Sequence, residues 1–126
     1  MQLLSFFSII LLGLACESDK VLAVNRDPPS VIIQEPTDGA RFFGGQEVTF
    51  LALTQTYNGT PTEELVHQWV ANEDVICLPD SVLESGYASC ATTFDATGEY
   101  VVSVTITHDV LPTAQATITV QIDENI

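Results

Sequence analysis

The clearest pattern along the chain is an alternation of apolar and polar positions in its last third. In 100–107, Tyr100, Val102, Val104 and Ile106 alternate with Val101, Ser103, Thr105 and Thr107, and 114–122 repeats the rhythm with Ala116, Ile118, Val120 and Ile122 on one face. A period of two sends successive side chains to opposite faces of an extended backbone, so each stretch predicts a strand with one buried side. The same rhythm runs through 47–53, EVTFLAL, where Val48, Phe50 and Ala52 share a face, and through 65–71, LVHQWVA. There Leu65, His67, Trp69 and Ala71 point one way, and Val66, Gln68 and Val70 the other. Trp69, the only tryptophan and the largest apolar side chain, marks the buried side and is expected to pin the core.

Shorter segments complete the set. The β-branched run SVIIQ at 30–34 predicts a strand, and the EPTDG after it supplies the proline, aspartate and glycine of a tight turn. Residues 41–43 predict a brief pairing segment before Gly44-Gly45 turns the chain. A short edge strand is expected over 74–78, carrying Cys77, then a loop containing Pro79, Asp80 and Gly86, then a strand over 87–94 carrying Cys90. The polar loop TQTYNGTPTEE reads as a turn; Asn58-Gly59-Thr60 has the form of a glycosylation sequon, but Pro61 follows it. No segment sustains a helical period, so about seven short strands predict an all-β, antiparallel sandwich. A chain of 126 residues with 46% hydrophobic content supports one domain with its own core, here 30–124.

The N-terminal residues follow a different pattern. LLSFFSIILLGLA at 3–15 is uninterrupted by charge and too short to cross a bilayer as a mature helix, which reads as an export signal over 1–15. Ala15 immediately before Cys16, with leucines just upstream, resembles the lipobox of bacterial lipoproteins. That resemblance implies that Cys16 is lipidated, becomes the first mature residue, and anchors the protein to a membrane, with 16–29 as a tether. Gly13 stands where the lipobox usually has leucine, and the leading Met-Gln carries no positive charge. An ordinary secretory signal cut near Ala15, or a buried apolar helix, are the competing readings. If Cys16 carries lipid, Cys77 and Cys90 remain as a disulfide pair in an exported protein. Two thiolates ligating a metal is the alternative, for which no partners stand at short spacing.

Charge narrows the partners. All 3 basic and 17 acidic residues lie after position 16, giving a net charge of −14. Such a field repels phosphate backbones, so nucleic-acid binding is excluded as an expectation. A solvated acidic surface is the simplest account; binding of a cation or of a basic partner is the other.

The phrases PPSVIIQEPTDG, GGQEVTF, the lone Trp69, DATGEYVVSVTITHD and the closing TAQATITVQI together resemble the immunoglobulin-like and PKD-like sandwich domains of bacterial surface lipoproteins. The resemblance covers Pro28 to about Glu124. It implies that Tyr100, in Asp95-Ala-Thr-Gly-Glu-Tyr100, forms a tyrosine corner with its hydroxyl bonded to upstream backbone. Val102 stands where an antibody-type domain has its second inter-sheet cysteine, so Cys77 and Cys90 are expected to form a local staple instead. Where the PKD pattern has a Gly-Asp-Gly type turn, this chain has Val70-Ala71-Asn72-Glu73-Asp74.

Candidate chemistry is sparse. A nucleophile held by histidine and carboxylate has only His67 and His108 to draw on, and no nucleophile elbow is present. His67 shares the parity of Trp69 and reads as a packed strand residue; His108, beside Asp109, reads as a solvent-exposed turn residue. No cofactor is expected, except that calcium suits loop carboxylates, for which Asp38, Asp74 and Asp109 are the candidates. The expected function is a non-catalytic, lipid-anchored module of the bacterial cell envelope, at the outer membrane, for adhesion, scaffolding or binding of an envelope or extracellular protein or glycan. The alternative is a periplasmic inhibitor or accessory subunit docking on a basic protein.

Overall fold

The computed structural model describes residues 27–125. The expected signal segment 1–15, Cys16 and most of the tether lie outside the described residues. Two sheets pack face to face. One holds β1 (Ser30–Glu35), β3 (Glu47–Gln55) and β6 (Tyr87–Thr93) in the order β1-β3-β6. The other holds β2 (Ala40–Phe43), β4 (Val66–Ala71), β5 (Asp74–Ser81), β7 (Gly98–Thr107) and β8 (Ala114–Asp123) in the order β2-β8-β7-β4-β5.

The alternation dictates which side of each strand is buried. Val48, Phe50, Ala52 and Thr54 of β3 face Trp69 and Ala71 of β4 and Val102, Val104 and Ile106 of β7, all at most 3% exposed. Phe50 and Trp69 meet across the layers with ring centroids 5.7 Å apart, and Phe94 extends the cluster edge-on to Phe50 at 6.3 Å. Trp69 is fully buried, as its strand parity predicts. Leu65 occupies the position just before β4 and is equally buried.

Three features depart from the expected pattern. The pairing of β2 with β8 is parallel, running from Ala40↔Val120 to Phe43↔Asp123, whereas every other pair is antiparallel. The chain leaves β1 and changes sheets across 36–39 without reversing direction, so the continuation must run alongside β8. Asp38 holds that crossing in place: its Oδ1 accepts the Thr119 N–H at 2.8 Å, and the Gly39 N–H reaches the Thr119 carbonyl at 2.7 Å.

Second, β5 continues past 78 through Pro79 and Asp80 instead of giving way to a loop. His67 pairs with Asp80 and Trp69 with Cys77, which leaves Leu78 and Pro79 together opposite Gln68. This bulge on an edge strand is where a residue without an N–H is tolerated.

Third, the Cys77–Cys90 disulfide is an inter-sheet bridge and not a local staple. Cys77 lies on β5, the edge of the larger sheet, and Cys90 on β6, the edge of the smaller one. The chain passes between these edges through 82–86, so the cysteines close one flank of the sandwich.

The register also defines two ends. Ser30 pairs with Gln55, and the loops 56–65 and 82–86 meet at that end, where the Val82 N–H bonds the Leu65 carbonyl and the Thr62 hydroxyl bonds the Leu83 carbonyl. The β4–β5 hairpin turn, Asn72 and Glu73, lies at the opposite end. Asp27, where the described chain begins, is therefore at the far end from that turn.

Candidate functional site

The two histidines occupy structural positions. His67 is buried, and its Nδ1 accepts the Trp69 indole N–H at 3.1 Å. Burial holds its pKa below the usual imidazole value, against the opposing pull of Asp80 and of a backbone hydrogen bond at Ser81. His108 is not the solvent-exposed turn residue expected. Its side chain is only 12% exposed, its Nδ1 accepts the N–H groups of Val110 at 3.0 Å and Leu111 at 3.2 Å, and its Nε2 lies 3.3 Å from Glu64 Oε1. The ring ties the β7–β8 loop to the segment before β4, a contact across 44 residues that local sequence does not reveal.

The calcium candidates do not converge. Asp38 caps the sheet crossing, Asp74 opens β5, and Asp109 follows β7, and among the described residues no group of three or more His, Cys, Asp or Glu side chains is placed to hold a metal. Tyr100 donates its hydroxyl to the Ala96 carbonyl at 2.9 Å and packs its ring against Phe94, with centroids 4.4 Å apart and the planes tilted by 39°.

What the fold does assemble is a face. Because Trp69, Val102, Val104 and Ile118 point inward, their neighbours point outward from the five-stranded sheet: Val66 opposite Thr107, Gln68 opposite Thr105, Val70 opposite Ser103, Val101 opposite Thr119, Thr105 opposite Gln115. Not one of these is ionisable. Of the 17 acidic residues, fifteen are in the described part, together with a single basic residue, Arg41, which is paired with Asp123 at 3.0 Å. Carboxylates enter the face toward its Asn72–Glu73 end, where Glu99 stands on β7 and Asp123, paired with Arg41, on β8.

A shallow groove of about 530 Å³ lies on the face, lined by Val70, Asn72, Glu73, Val101, Ser103, Thr105 and Gln115. Its volume falls in the range of small-ligand clefts. Val70 and Val101 form an apolar floor, and Ser103 is fixed by a 2.9 Å hydrogen bond with Thr117. The rim is rigid: the Asn72 side chain accepts the Val101 N–H at 2.8 Å and donates to the Glu99 carbonyl at 3.2 Å, while the Asn72 N–H bonds the Val101 carbonyl at 3.0 Å. Asn72 thus continues the β4–β7 ladder past the end of β4.

Glu73 sits at the groove's edge with φ +76°, following Asn72 at φ +48°. Two consecutive positive φ values are those of the tight hairpin turn that matches strand twist, in which the second position favours glycine. Glutamate is held there against its backbone preference. In the sequence, 70–74 stands out only as a departure from the Gly-Asp-Gly type turn; Asn72 at a hairpin tip is the signal for the turn, and nothing local points to the groove.

The chain is similar to the fibronectin(III)-like modules of Clostridium thermocellum CbhA, with a TM-score of 0.60, 19% identity, and coverage of 77% of this chain and 98% of that one. It is also similar to the CARDB domain of the PF1109 protein from Pyrococcus furiosus, with a TM-score of 0.59, 12% identity, and coverage of 82% of this chain and 100% of that one. The fold is an immunoglobulin-like β-sandwich. The CARDB domain was solved in complex with di-metal ions, a property of that protein. No protein-family model matches the chain, and no curated protein matches it.

Proposed function

We propose that this protein is a non-catalytic binding module of the bacterial cell envelope, anchored by lipid on Cys16 and engaging a protein or glycan through the outer face of its five-stranded sheet. The observation that carries the reading is a grooved face whose central positions are uncharged, on a chain of net charge −14. Polar groups there are fixed by hydrogen bonds within the sheet, and Val101 is left 46% exposed on the groove floor. The histidines support the non-catalytic part, since each ring nitrogen that accepts a hydrogen bond is committed to holding the fold. The anchor rests on the apolar run 3–15 and on Ala15-Cys16. A tether entering at Asp27 would leave the Asn72–Glu73 end of the groove pointing away from the membrane.

Two measurements test it. Cys16→Ser is expected to release the chain from membranes; unchanged attachment would remove the anchor. A photo-crosslinking residue at position 103, in the groove, is expected to capture a partner saturably in intact envelopes, whereas one at 89, on β6, is not. Equal capture from both positions, or none from 103, would reject the face.

The alternative of a periplasmic inhibitor or accessory subunit finds support in the same charge distribution, because fifteen acidic side chains against one basic residue steer a cationic partner toward the domain.

A further inference from the structure

We infer that the groove is a receptor for a lysine or arginine side chain presented by a cationic partner protein; this rests on the sheet face being the binding surface. The groove is chemically graded along its length. At one end stand the uncharged Thr105 and Gln115, in the middle the apolar Val70 and Val101, and at the other end Glu73. Glu99 stands just beyond that end, outside the lining: it is two positions before Val101 on the same face of β7, and its carbonyl accepts the Asn72 amide. A long cationic side chain has the matching order of parts, methylenes that cover apolar surface and a charged head that seeks carboxylate.

Two further observations favour this occupant over a neutral one. Among the described residues the only cation is Arg41, already paired with Asp123, so Glu73 at the rim and Glu99 beyond it have no basic side chain of the described part beside them. The whole domain also attracts cations at long range, which brings a basic partner to the face, while the uncharged centre of the face lets the two surfaces close there without burying unpaired charge. The backbone agrees. Glycine would sit at φ +76° without strain, yet the position holds a carboxylate, and strained residues of this kind gather at sites that use them.

The strain provides the test. Glu73→Gly relaxes the turn, so the variant is expected to melt at a higher temperature than the parent while binding worse, which separates lost binding from lost folding. The full chain, in neutral detergent at low ionic strength, is titrated with a fluorescent, end-blocked peptide of alternating lysine and threonine, and with its glutamine-threonine counterpart. The lysine peptide is expected to bind and the glutamine peptide not to. Glu73→Gly combined with Glu99→Gln is expected to weaken binding about tenfold, as for loss of a close charge pair, and Glu35→Gln with Glu47→Gln, on the other sheet, by less than about twofold.

Equal weakening by the two pairs would show diffuse attraction without a receptor and overturn the proposal. So would binding of both peptides alike, or of neither. Crosslinking from position 103 separates the levels: capture that is indifferent to Glu73 and Glu99 leaves the binding face standing with a neutral occupant, and absence of capture removes the face itself.

Discussion

The imidazole of His67 accepts the indole N–H of Trp69 at 3.1 Å, two positions apart on the same buried face of β4. Indole is a donor only, so Nδ1 of His67 must be unprotonated and its proton must reside on Nε2. The largest side chain of the core therefore has its single polar atom satisfied by a neighbour of its own strand. A buried tryptophan needs such a partner, and a histidine at this parity supplies it at the cost of a titratable group in the core.

Stability should consequently fall with acid in a defined window. Burial lowers the folded-state pKa of His67 below its ordinary 6.5, so the unfolded chain takes up the proton first as pH drops. The contribution is fully present above pH 6.5, is lost as pH falls below it, and levels off beneath the folded value. The slope cannot exceed about 1.4 kcal/mol per pH unit for one proton. Urea midpoints between pH 7.5 and 5 should show this decline in the parent and lose most of it in His67→Gln. Parallel curves for the two proteins would place the pH dependence elsewhere.

Trp69 itself should separate packing from hydrogen bonding. Trp69→Ala empties a fully buried site against Phe50 and is expected to cost about 3 to 5 kcal/mol, enough to unfold a domain of this size. His67→Ala keeps the indole but strands its N–H, at about 1 to 3 kcal/mol. A Trp69→Ala protein that stays folded and merely loses binding would contradict the core assignment.

The disulfide should act on the flank it closes. Cys77 and Cys90 are 13 residues apart in sequence and tie β5 to β6, so replacing both by serine is expected to cost about 3 kcal/mol, mostly through the entropy of the unfolded chain. For a domain of about 100 residues that corresponds to a melting temperature lower by very roughly 15 °C. Hydrogen exchange should quicken in β5 and β6 before it does in β7 and β8. Uniform acceleration across both sheets would show that the bridge stabilises globally with no local effect.

Much of this was legible in the chain and some was not, for physical reasons. Strand alternation exposes which side is buried, so the faces of 47–53, 65–71 and 100–107 and the role of Trp69 could be read directly. The pairing of the two cysteines followed from counting. Their placement across the sheets did not, because it depends on β5 and β6 being edges of different layers. The parallel β2–β8 pair depends on Asp38 meeting Thr119, 81 positions away. Outward-facing residues carry the least signal: Val70, Val101 and Gln115 look like any solvated strand surface until the register lines them up along the groove that ends at Glu73.

His108 gives another case of long-range meaning, with its own test. Its Nδ1 holds the amides of Val110 and Leu111, and Leu111 is buried beneath the loop. His108→Ala should leave those two amides without their acceptor, cost about 1 to 2 kcal/mol, and raise exchange or proteolysis in 108–113 specifically. His108→Asn, which can accept locally, should recover part of the loss. An unaltered loop in the alanine variant would return His108 to the role of a simple surface residue.

Tyr100 allows the sharpest division between a bond and its packing. Its hydroxyl donates to Ala96 at 2.9 Å while its ring lies on Phe94 at 4.4 Å, so Tyr100→Phe removes the first and keeps the second. The Ala96 carbonyl is at an exposed turn, where water can replace the lost donor, and the expected cost is therefore near the middle of the usual range, about 1 kcal/mol. Tyr100→Ala also forfeits the ring contact and opens space beside Phe94, so about 3 kcal/mol is expected. If Tyr100→Phe proved as damaging as Tyr100→Ala, the hydroxyl would be anchoring the β6–β7 turn and not merely capping it. Equilibrium unfolding of the two variants decides between these outcomes, because the difference between them isolates the ring contact.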